Sequence, residues 1–347
     1  MLTPELLLSL PKVELHRHFE GSLRLETLVE IAREYKVDVP HTIAGLRPLV
    51  QVTDEPPDAH TFLAKFNVLR HFYRSPEIIR RLAYEIVADA AQDNVHYMEL
   101  RFSPQALSRV RGFKLEDATD WVISAVEQAQ KDYDIIVKLI VTLVRHEPVK
   151  QARHVAEIAF DRHREGIVGL DLAGDEVNHS SLPYCEIFLD AKKRGMGVTI
   201  HAGEWLGASE VRTAIERLGA DRIGHGVNIV TDSAVVQLVR KQNVALEICL
   251  TSNMQTGSVA HMRQHPIKDF LDMQVPVTLN TDDPTISNIS LTDEYQVALS
   301  QVGLSYKDLY RMTFTAVDTA FLPLPEKQAL RTYFEQHLPA VDVVQRQ

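Results

Sequence analysis

The chain has 347 residues, of which 45% are hydrophobic and 24% charged, a composition that excludes a disordered protein and allows a large buried core. Its 47 acidic residues outnumber its 37 lysines and arginines, and the formal net charge of -10 argues against nucleic acid or an anionic membrane as a partner. Two cysteines are too few for a disulfide framework, the N-terminus lacks a basic leader and no run is long enough to span a membrane. We therefore expect a cytoplasmic protein that acts on a small molecule; the sequence carries no signal for a particular oligomeric state.

The first predicted strand, Val13–Leu15, is followed by a long interruption, Phe19–His96. This interruption contains the loop-like stretch VTDEPPDAH and a helical stretch with aromatic residues, Thr61–Tyr73. In a barrel, a segment after the first strand lies on the catalytic face. We therefore expect residues 19–96 to form a helical lid.

The rest of the chain alternates short apolar runs with amphipathic stretches. The apolar, β-branched runs predict strands at Tyr97–Phe102, Ile135–Val144, Ile167–Ala173, Val198–Ile200, Arg222–Gly224, Val244–Ile248 and Val275–Leu279. Apolar positions three and four residues apart predict helices at Glu116–Lys131, Lys150–His163, Ser209–Leu218 and Asp232–Gln242. About eight strands with intervening helices favour an α/β fold, a (β/α)₈ TIM barrel, and the absence of a repeat or linker predicts one domain, 1–347.

Two histidines in the first strand are candidate metal ligands. His16 and His18 are two residues apart, so on an extended strand their side chains point to the same face. In a barrel that face can be the interior, where two imidazoles converge on one ion. An HxH pair alone is more often structural, so the prediction needs further ligands.

Further ligands follow two later strands. His201 comes directly after an apolar run in VTIHAGE, and Asp282 comes directly after another in PVTLNTDDP. Catalytic groups in barrels come from the ends of several strands on one face. Three imidazoles and one carboxylate suit zinc, with a further position for water. The middle-strand motif GLDLAGDE has no lysine to bridge two ions, so we expect one zinc per chain, with Asp171 or Asp175 as alternative ligands or as residues that orient neighbours.

Several residues near these ligands are candidates for proton transfer or substrate contact. Glu204, three residues after His201, can face the same pocket and donate a proton to a ring nitrogen. His225 ends a short strand and can either accept a proton from water or stabilise an oxyanion. Asp283 points away from Asp282 on an extended strand and is better placed for substrate. Gly174 permits close approach to a backbone amide, although a simple turn glycine explains it equally well.

Six motifs in order resemble the adenosine deaminase family: HRHFEGSL, LDLAGDE, HAGE, RIGHGV, CLTSN and NTDDP. Each motif is short, but the six occur in the family's order and the similarity extends over nearly the whole chain. The resemblance implies a zinc-dependent hydrolase that converts adenosine and 2′-deoxyadenosine to the inosine forms and releases ammonia. It implies His16, His18, His201 and Asp282 as zinc ligands.

The resemblance also implies roles toward the substrate. Glu204 is the counterpart of the proton donor to purine N1, and His225 of the residue beside the attacking oxygen. Asp283 would contact the imidazole part of the purine and Gly174 would meet N3. His18 would lie near the ribose. The remaining two, Phe62 and Phe66, would line the lid.

One departure from the family concerns Glu20, because adenosine-specific relatives usually carry aspartate where the ribose 5′-hydroxyl binds. Relatives that deaminate adenine or aminodeoxyfutalosine often carry glutamate in this segment, which leaves another 6-aminopurine as an alternative substrate. RIGHGV, TSNMQTG and NTDDP are similar to the adenosine-type motifs, so adenosine is the first expectation. Two further hypotheses are an amidohydrolase for an ester, amide or cyclic imide, and a nucleoside-binding barrel without catalysis.

Overall fold

A computed structural model describes residues 2–341. Its centre is an eight-stranded parallel sheet whose strands pair in sequence order. The strands are β1 (Lys12–His18), β2 (Val95–Phe102), β3 (Ile136–Val144), β4 (Ile167–Ala173), β5 (Gly197–Ala202), β6 (Arg222–His225), β7 (Ala245–Ile248) and β8 (Val277–Leu279).

Helices connect these strands and surround the sheet. They are α1 (Pro4–Ser9), α2 (Leu25–Tyr35), α3 (Ile43–Val50), α4 (Ala59–Leu69), α5 (Pro76–Gln92), α6 (Pro104–Ser108), α7 (Leu115–Asp132), α8 (Val149–Asp161), α9 (Cys185–Lys193), α10 (Ala208–Leu218), α11 (Ser233–Gln242), α12 (Leu250–Gln255), α13 (Ile267–Asp272), α14 (Pro284–Ser287), α15 (Leu291–Val297), α16 (Tyr306–Thr319) and α17 (Leu324–His337). Short 3-10 turns occupy Arg70–Phe72, Leu182–Tyr184, Val227–Ile229 and Met262–Gln264, and a π-helical turn follows α15 at Ala298–Val302.

The barrel is nearly closed by contacts between β1 and the residues just after β8. The His18 N–H donates to the Asp282 carbonyl at 2.8 Å, and the Asp282 N–H donates to the His16 carbonyl at 2.9 Å. The side chain of Glu14 adds a third link, because its carboxylate accepts the hydroxyl of Thr281 at 2.8 Å. We call this contact between β1 and the residues after β8 the seam.

The predicted barrel is confirmed, and the predicted strands match the observed ones to within a few residues. The helical insertion after the first strand is also confirmed, because α2 to α5 all lie between β1 and β2. One predicted helix boundary has a clear physical reason: Asp232 is the cap of α11, where its carboxylate accepts the N–H groups of Ala234 and Val235. The single domain stays a prediction.

The interior of the barrel carries ions as well as apolar side chains. Glu247 on β7 is fully buried and accepts a hydrogen bond at 2.7 Å from the guanidinium of Arg101 on β2. Arg222 on β6 binds the other oxygen of Glu247 at 2.5 Å and also pairs with Glu99. Paired in this way, the buried charges stabilise one another and link opposite sides of the sheet. Among residues 2–341, no helix has the length and apolar character needed to cross a membrane.

Candidate active site

The predicted metal ligands lie at the carboxyl ends of three strands. His16 and His18 are on β1, His201 is on β5 and Asp282 follows β8. One ligand atom from each of the four lies within 4.8 Å of the others. The structure therefore brings together four residues that are up to 266 positions apart in the sequence.

The distances within this group fit a shared cation. His16 Nε2 and His18 Nε2 lie 3.2 Å and 3.3 Å from Asp282 Oδ1, and His18 Nε2 lies 3.2 Å from His201 Nε2. His16 Nε2 is buried and has no hydrogen-bond partner. A buried ring nitrogen without a partner is costly unless a ligand satisfies it, so this donor set fits zinc.

Carboxylates behind the ligands orient the imidazoles. His16 Nδ1 lies 2.7 Å from Glu247 Oε2, and His201 Nδ1 lies 2.9 Å from Asp171 Oδ1. Each carboxylate accepts the Nδ1 proton and leaves Nε2 free to bind a metal. Asp171 therefore orients His201 and lies outside the group of four predicted ligands. Ser252 orients Asp282 in the same way by donating its hydroxyl to Oδ2 at 2.7 Å.

Two of the candidate residues have a strained backbone. His225 has φ 63° and Asp282 has φ 67°, in the left-handed region that residues other than glycine rarely adopt. Such a conformation costs on the order of 1–2 kcal/mol and is typical of functional sites. Here it turns both side chains into the mouth of the barrel where the strands end.

Glu204 is buried beside the metal ligands and lies in a setting that favours its protonated form. Burial raises the pKa of the Glu204 carboxyl well above its usual value, and the charges of Asp282 and Glu176 raise it further. Its Oε2 lies 3.5 Å from His225 Nε2, and Thr256 donates its hydroxyl to Oε1 at 3.3 Å. A protonated carboxyl in this place can give a proton to a substrate atom.

Asp283 is a second buried carboxyl whose surroundings favour its protonated form. Burial raises the pKa of Asp283 well above its usual value, and the charges of Asp282 and Glu20 add to the effect. Its Oδ1 has no hydrogen-bond partner. A methyl group on Gly21 would lie 1.8 Å from that oxygen, so the glycine makes room for the carboxyl.

Gly174 lies on the cavity wall directly after β4. Its φ of +99° is one that residues with a side chain rarely adopt, and an added Cβ would also lie 3.3 Å from Val144 Cγ1. The structure therefore supports a backbone requirement for glycine here.

The lining of the cavity also includes Glu20, Phe62 and Phe66. Glu20 accepts the Ser103 N–H at 2.7 Å, and burial raises the pKa of its carboxyl to about 7. The two phenylalanines come from α4 of the insertion. All the predicted substrate residues thus line one cavity of about 580 Å³, together with His201, Glu204 and His225. A larger cleft of about 840 Å³ beside Phe321 contains none of them.

Sequence reasoning missed several residues that complete the site. Tyr73 and Gln105 line the same cavity near Glu20, and the Tyr73 hydroxyl and both polar atoms of Gln105 are buried without partners. Glu176 accepts the N–H groups of Gly203, Trp205 and Leu206 and so holds the loop that carries Glu204. Glu247, which orients His16, was missed as well. Of these residues it alone could have been recognised in the sequence, because it is a single acid within the apolar run VALEICL.

Comparison with sequence families gives one match over most of the chain. The family model described as adenosine deaminase matches residues 11–336. The adenosine deaminase of Klebsiella pneumoniae (strain 342) is 40% identical over 325 residues, which cover 93% of this chain and 97% of that protein. The adenosine deaminase of Edwardsiella ictaluri (strain 93-146) is 38% identical over 322 residues, with 92% and 96% covered.

Solved structures share the fold. A zinc-bound amidohydrolase from Burkholderia ambifaria superposes with a TM-score of 0.89 at 24% identity, covering 97% of this chain and 94% of that one. An Arabidopsis N6-mAMP deaminase superposes with a TM-score of 0.86 at 27% identity, covering 96% and 99%.

Proposed function

Because this chain belongs to the adenosine deaminase family, we propose that it hydrolyses adenosine and 2′-deoxyadenosine to inosine and 2′-deoxyinosine with release of ammonia. One observation carries the proposal: two buried carboxyls, Glu204 and Asp283, line one cavity with His18, His201 and Asp282 of the clustered candidate ligands, and burial favours the protonated form of both. Protonated carboxyls are hydrogen-bond donors, and the ring nitrogens of a purine are acceptors. The cavity therefore matches a purine held beside the ligands.

The proposal includes one zinc ion per chain, held by His16, His18, His201 and Asp282. The partnerless Nε2 of His16 and the mixed imidazole–carboxylate set support it. When bound, zinc acts as a Lewis acid that makes water reactive near neutral pH. Asp171 and Glu247 keep two of the imidazoles in the tautomer that binds metal.

The protein's own groups manage the protons of the reaction. When the water oxygen adds to C6 of the purine, electrons move to N1, where Glu204 is placed to donate its proton. One proton of water then ends on N1 by way of Glu204 and the other on the departing amino group, which leaves as ammonia. His225 lies beside Glu204 and Asp282 and either accepts a proton from the attacking oxygen or donates a hydrogen bond to it.

The remaining cavity residues are assigned to the rest of the nucleoside. We place Asp283 at the imidazole part of the purine and Gly174 at N3, as the family resemblance implies. His18 and Glu20 then face the ribose, and Phe62 and Phe66 cover it from α4. Polar atoms of Tyr73 and Gln105 line the same cavity without hydrogen-bond partners, and they favour a sugar over a free base. Unpaired Cys185 and Cys249 are consistent with the cytoplasm as the site of action.

A substrate panel tests the proposal. Ammonia release is measured with adenosine, 2′-deoxyadenosine, adenine, 5′-deoxyadenosine and AMP, and bound zinc is measured on the same preparation. We expect adenosine and 2′-deoxyadenosine to react fastest at one zinc per chain. Turnover of adenine alone would instead identify a base deaminase, and bound zinc without turnover of any purine would contradict deamination.

A further inference from the structure

We propose that Asn253 and His265 are positioning residues that fix which ring nitrogen of His225 carries the proton. The two nitrogens of this ring face different surroundings. Nδ1 lies 3.0 Å from the Asn253 amide nitrogen, whereas Nε2 faces Glu204 and Asp282 at 3.5 Å and 3.9 Å. The catalytic consequence rests on the proposed function, but the hydrogen bonds do not.

The chain of hydrogen bonds begins at a backbone group. Pro266 has no N–H, so the first N–H available at the start of α13 belongs to Ile267. That N–H lies 3.2 Å from His265 Nδ1. A backbone N–H can only donate, so Nδ1 of His265 accepts and carries no proton.

This contact fixes the proton of His265 at the other nitrogen. The ring is 4% exposed, and burial lowers the pKa of His265 to about 3, so it is neutral at pH 7. Its single proton is then on Nε2, which lies 3.3 Å from Asn253 Oδ1. The histidine donates and the amide oxygen accepts, which decides the orientation of the Asn253 side chain.

With its oxygen facing His265, Asn253 presents its NH₂ group to His225. The NH₂ group donates to His225 Nδ1, so Nδ1 is an acceptor and the proton of the neutral ring is on Nε2. Asn253 is fully buried and His225 is 1% exposed, so water does not compete for these bonds. An unambiguous donor at Ile267 thus determines the tautomer of His225 through two side chains.

This tautomer decides between the two roles left open for His225. A ring nitrogen that already carries a proton has no free lone pair, so Nε2 cannot accept a proton from the attacking oxygen. The Asn253 NH₂ group opposes a proton on Nδ1. His225 therefore acts as a hydrogen-bond donor to the attacking oxygen and keeps its proton throughout. The proton of water leaves toward Glu204 after that side chain has protonated N1.

The first test reads the tautomer without substrate. Protein labelled with ¹⁵N-histidine is studied by NMR, and the His225 and His265 signals are assigned by their loss in His225→Gln and His265→Gln. We expect the proton of both rings on Nε2. In Asn253→Asp, whose ionised carboxylate can only accept, we expect His225 to gain a proton at Nδ1. Asn243→Asp is the matched control, because this exposed asparagine receives the same charge far from the ring.

The second test links the tautomer to the rate. For Asn253→Asp we expect kcat to fall about a hundredfold, the loss typical of one misplaced transition-state donor, with KM changed little. His265→Gln keeps an amide donor near the position of Nε2 and should retain most of kcat. His265→Leu removes the donor and should lose more.

The proposal is overturned if the proton of wild-type His225 is on Nδ1. It is also overturned if Asn253→Asp changes neither the tautomer nor kcat, or if it lowers kcat only in proportion to lost zinc. The NMR result stands apart from the proposed function. A protein with both protons on Nε2 and no deaminase activity would support the hydrogen-bond chain and reject adenosine as substrate.

Discussion

The side chains at the mouth of the barrel divide into those proposed to bind a cation and those whose surroundings favour a bound proton. The imidazoles of His16 and His201 are oriented by carboxylates, which is the arrangement that a metal ligand needs. Glu204 and Asp283 instead have pKa values raised by burial and by neighbouring carboxylates. Removing a member of each class should therefore have different consequences.

Replacing a proposed ligand should lower the amount of bound zinc, whereas replacing the proposed proton donor should lower kcat and leave the zinc content unchanged. We expect His16→Ala or Asp282→Ala to lose most bound zinc. Glu204→Gln keeps the shape of the side chain, so it should retain zinc and lower kcat by about a hundredfold or more. Zinc content and kcat measured on the same samples separate the two classes. Full activity in Glu204→Gln would reject this residue as the proton donor.

Glu20 should control preference at the 5′ end of the sugar. Glu20→Asp shortens the side chain by one methylene and draws the carboxyl back toward β1. We expect the ratio of kcat/KM for adenosine to that for 5′-deoxyadenosine to change severalfold, with zinc content unchanged. Glu26→Asp, a change on the exposed side of α2, is the matched control. An unaltered ratio would contradict the placement of Glu20 at the ribose.

Loops after the strands are held by buried carboxylates that accept backbone N–H groups. Glu176 holds the turn after β5, and Glu294 accepts the N–H groups of Leu250 and Thr251 at the start of α12. Glu14 does the same for Thr281 at the seam. These contacts fix the loops that carry Glu204, Asn253 and Asp282.

Glu176→Gln tests whether such an anchor matters for catalysis. Replacing one carboxylate oxygen by NH₂ sets a donor against the backbone donors of the Glu204 loop, and each charged hydrogen bond lost costs about 1.5–3 kcal/mol. We expect kcat to fall at least tenfold while zinc is retained. Glu186→Gln, at an exposed position of α9, should leave kcat unchanged. Equal rates in the two variants would show that the anchor is dispensable.

Much of this architecture could be predicted from sequence because it depends on local patterns. Apolar runs located the strands, and polar residues directly after them located His201, Asp282 and Asp283 at the strand ends. The anchors could not be found, because a buried carboxylate such as Glu176 bonds to main-chain groups about thirty positions away and leaves no spacing to recognise. The left-handed backbone conformation of His225 and Asp282 could not be predicted either, because residues other than glycine rarely adopt it.

At the scale of the whole molecule, the seam closes the barrel, and the proposed ion would bind residues on both sides of it. His16 and His18 come from β1, Asp282 follows β8, and few main-chain bonds join the two. An ion that binds the folded chain stabilises it by about 4 kcal/mol when its free concentration is about 1,000 times its Kd. Its binding energy therefore acts mainly where the barrel closes.

Chelation of zinc should loosen the seam before the rest of the barrel. We expect the melting temperature to fall and amide hydrogen exchange to accelerate in β1 and around Asp282. Exchange in β3 and β4, which pair along most of their length, should change little. Exchange measured with and without a chelator, and again after zinc is restored, provides the comparison. A uniform acceleration across all strands would contradict a local effect.

His16 and Asp282 lie near opposite ends of the chain, so the full set of predicted ligands forms only when both ends of the barrel are present and joined. A chain interrupted after β5 still contains three of the four donors, yet it lacks the carboxylate that completes the set. Two fragments produced separately should therefore recover the full proposed ligand set only when both parts of the barrel reassemble. On the proposed ligand set, the amount of zinc bound per chain should therefore report how completely the two sides of the barrel are joined.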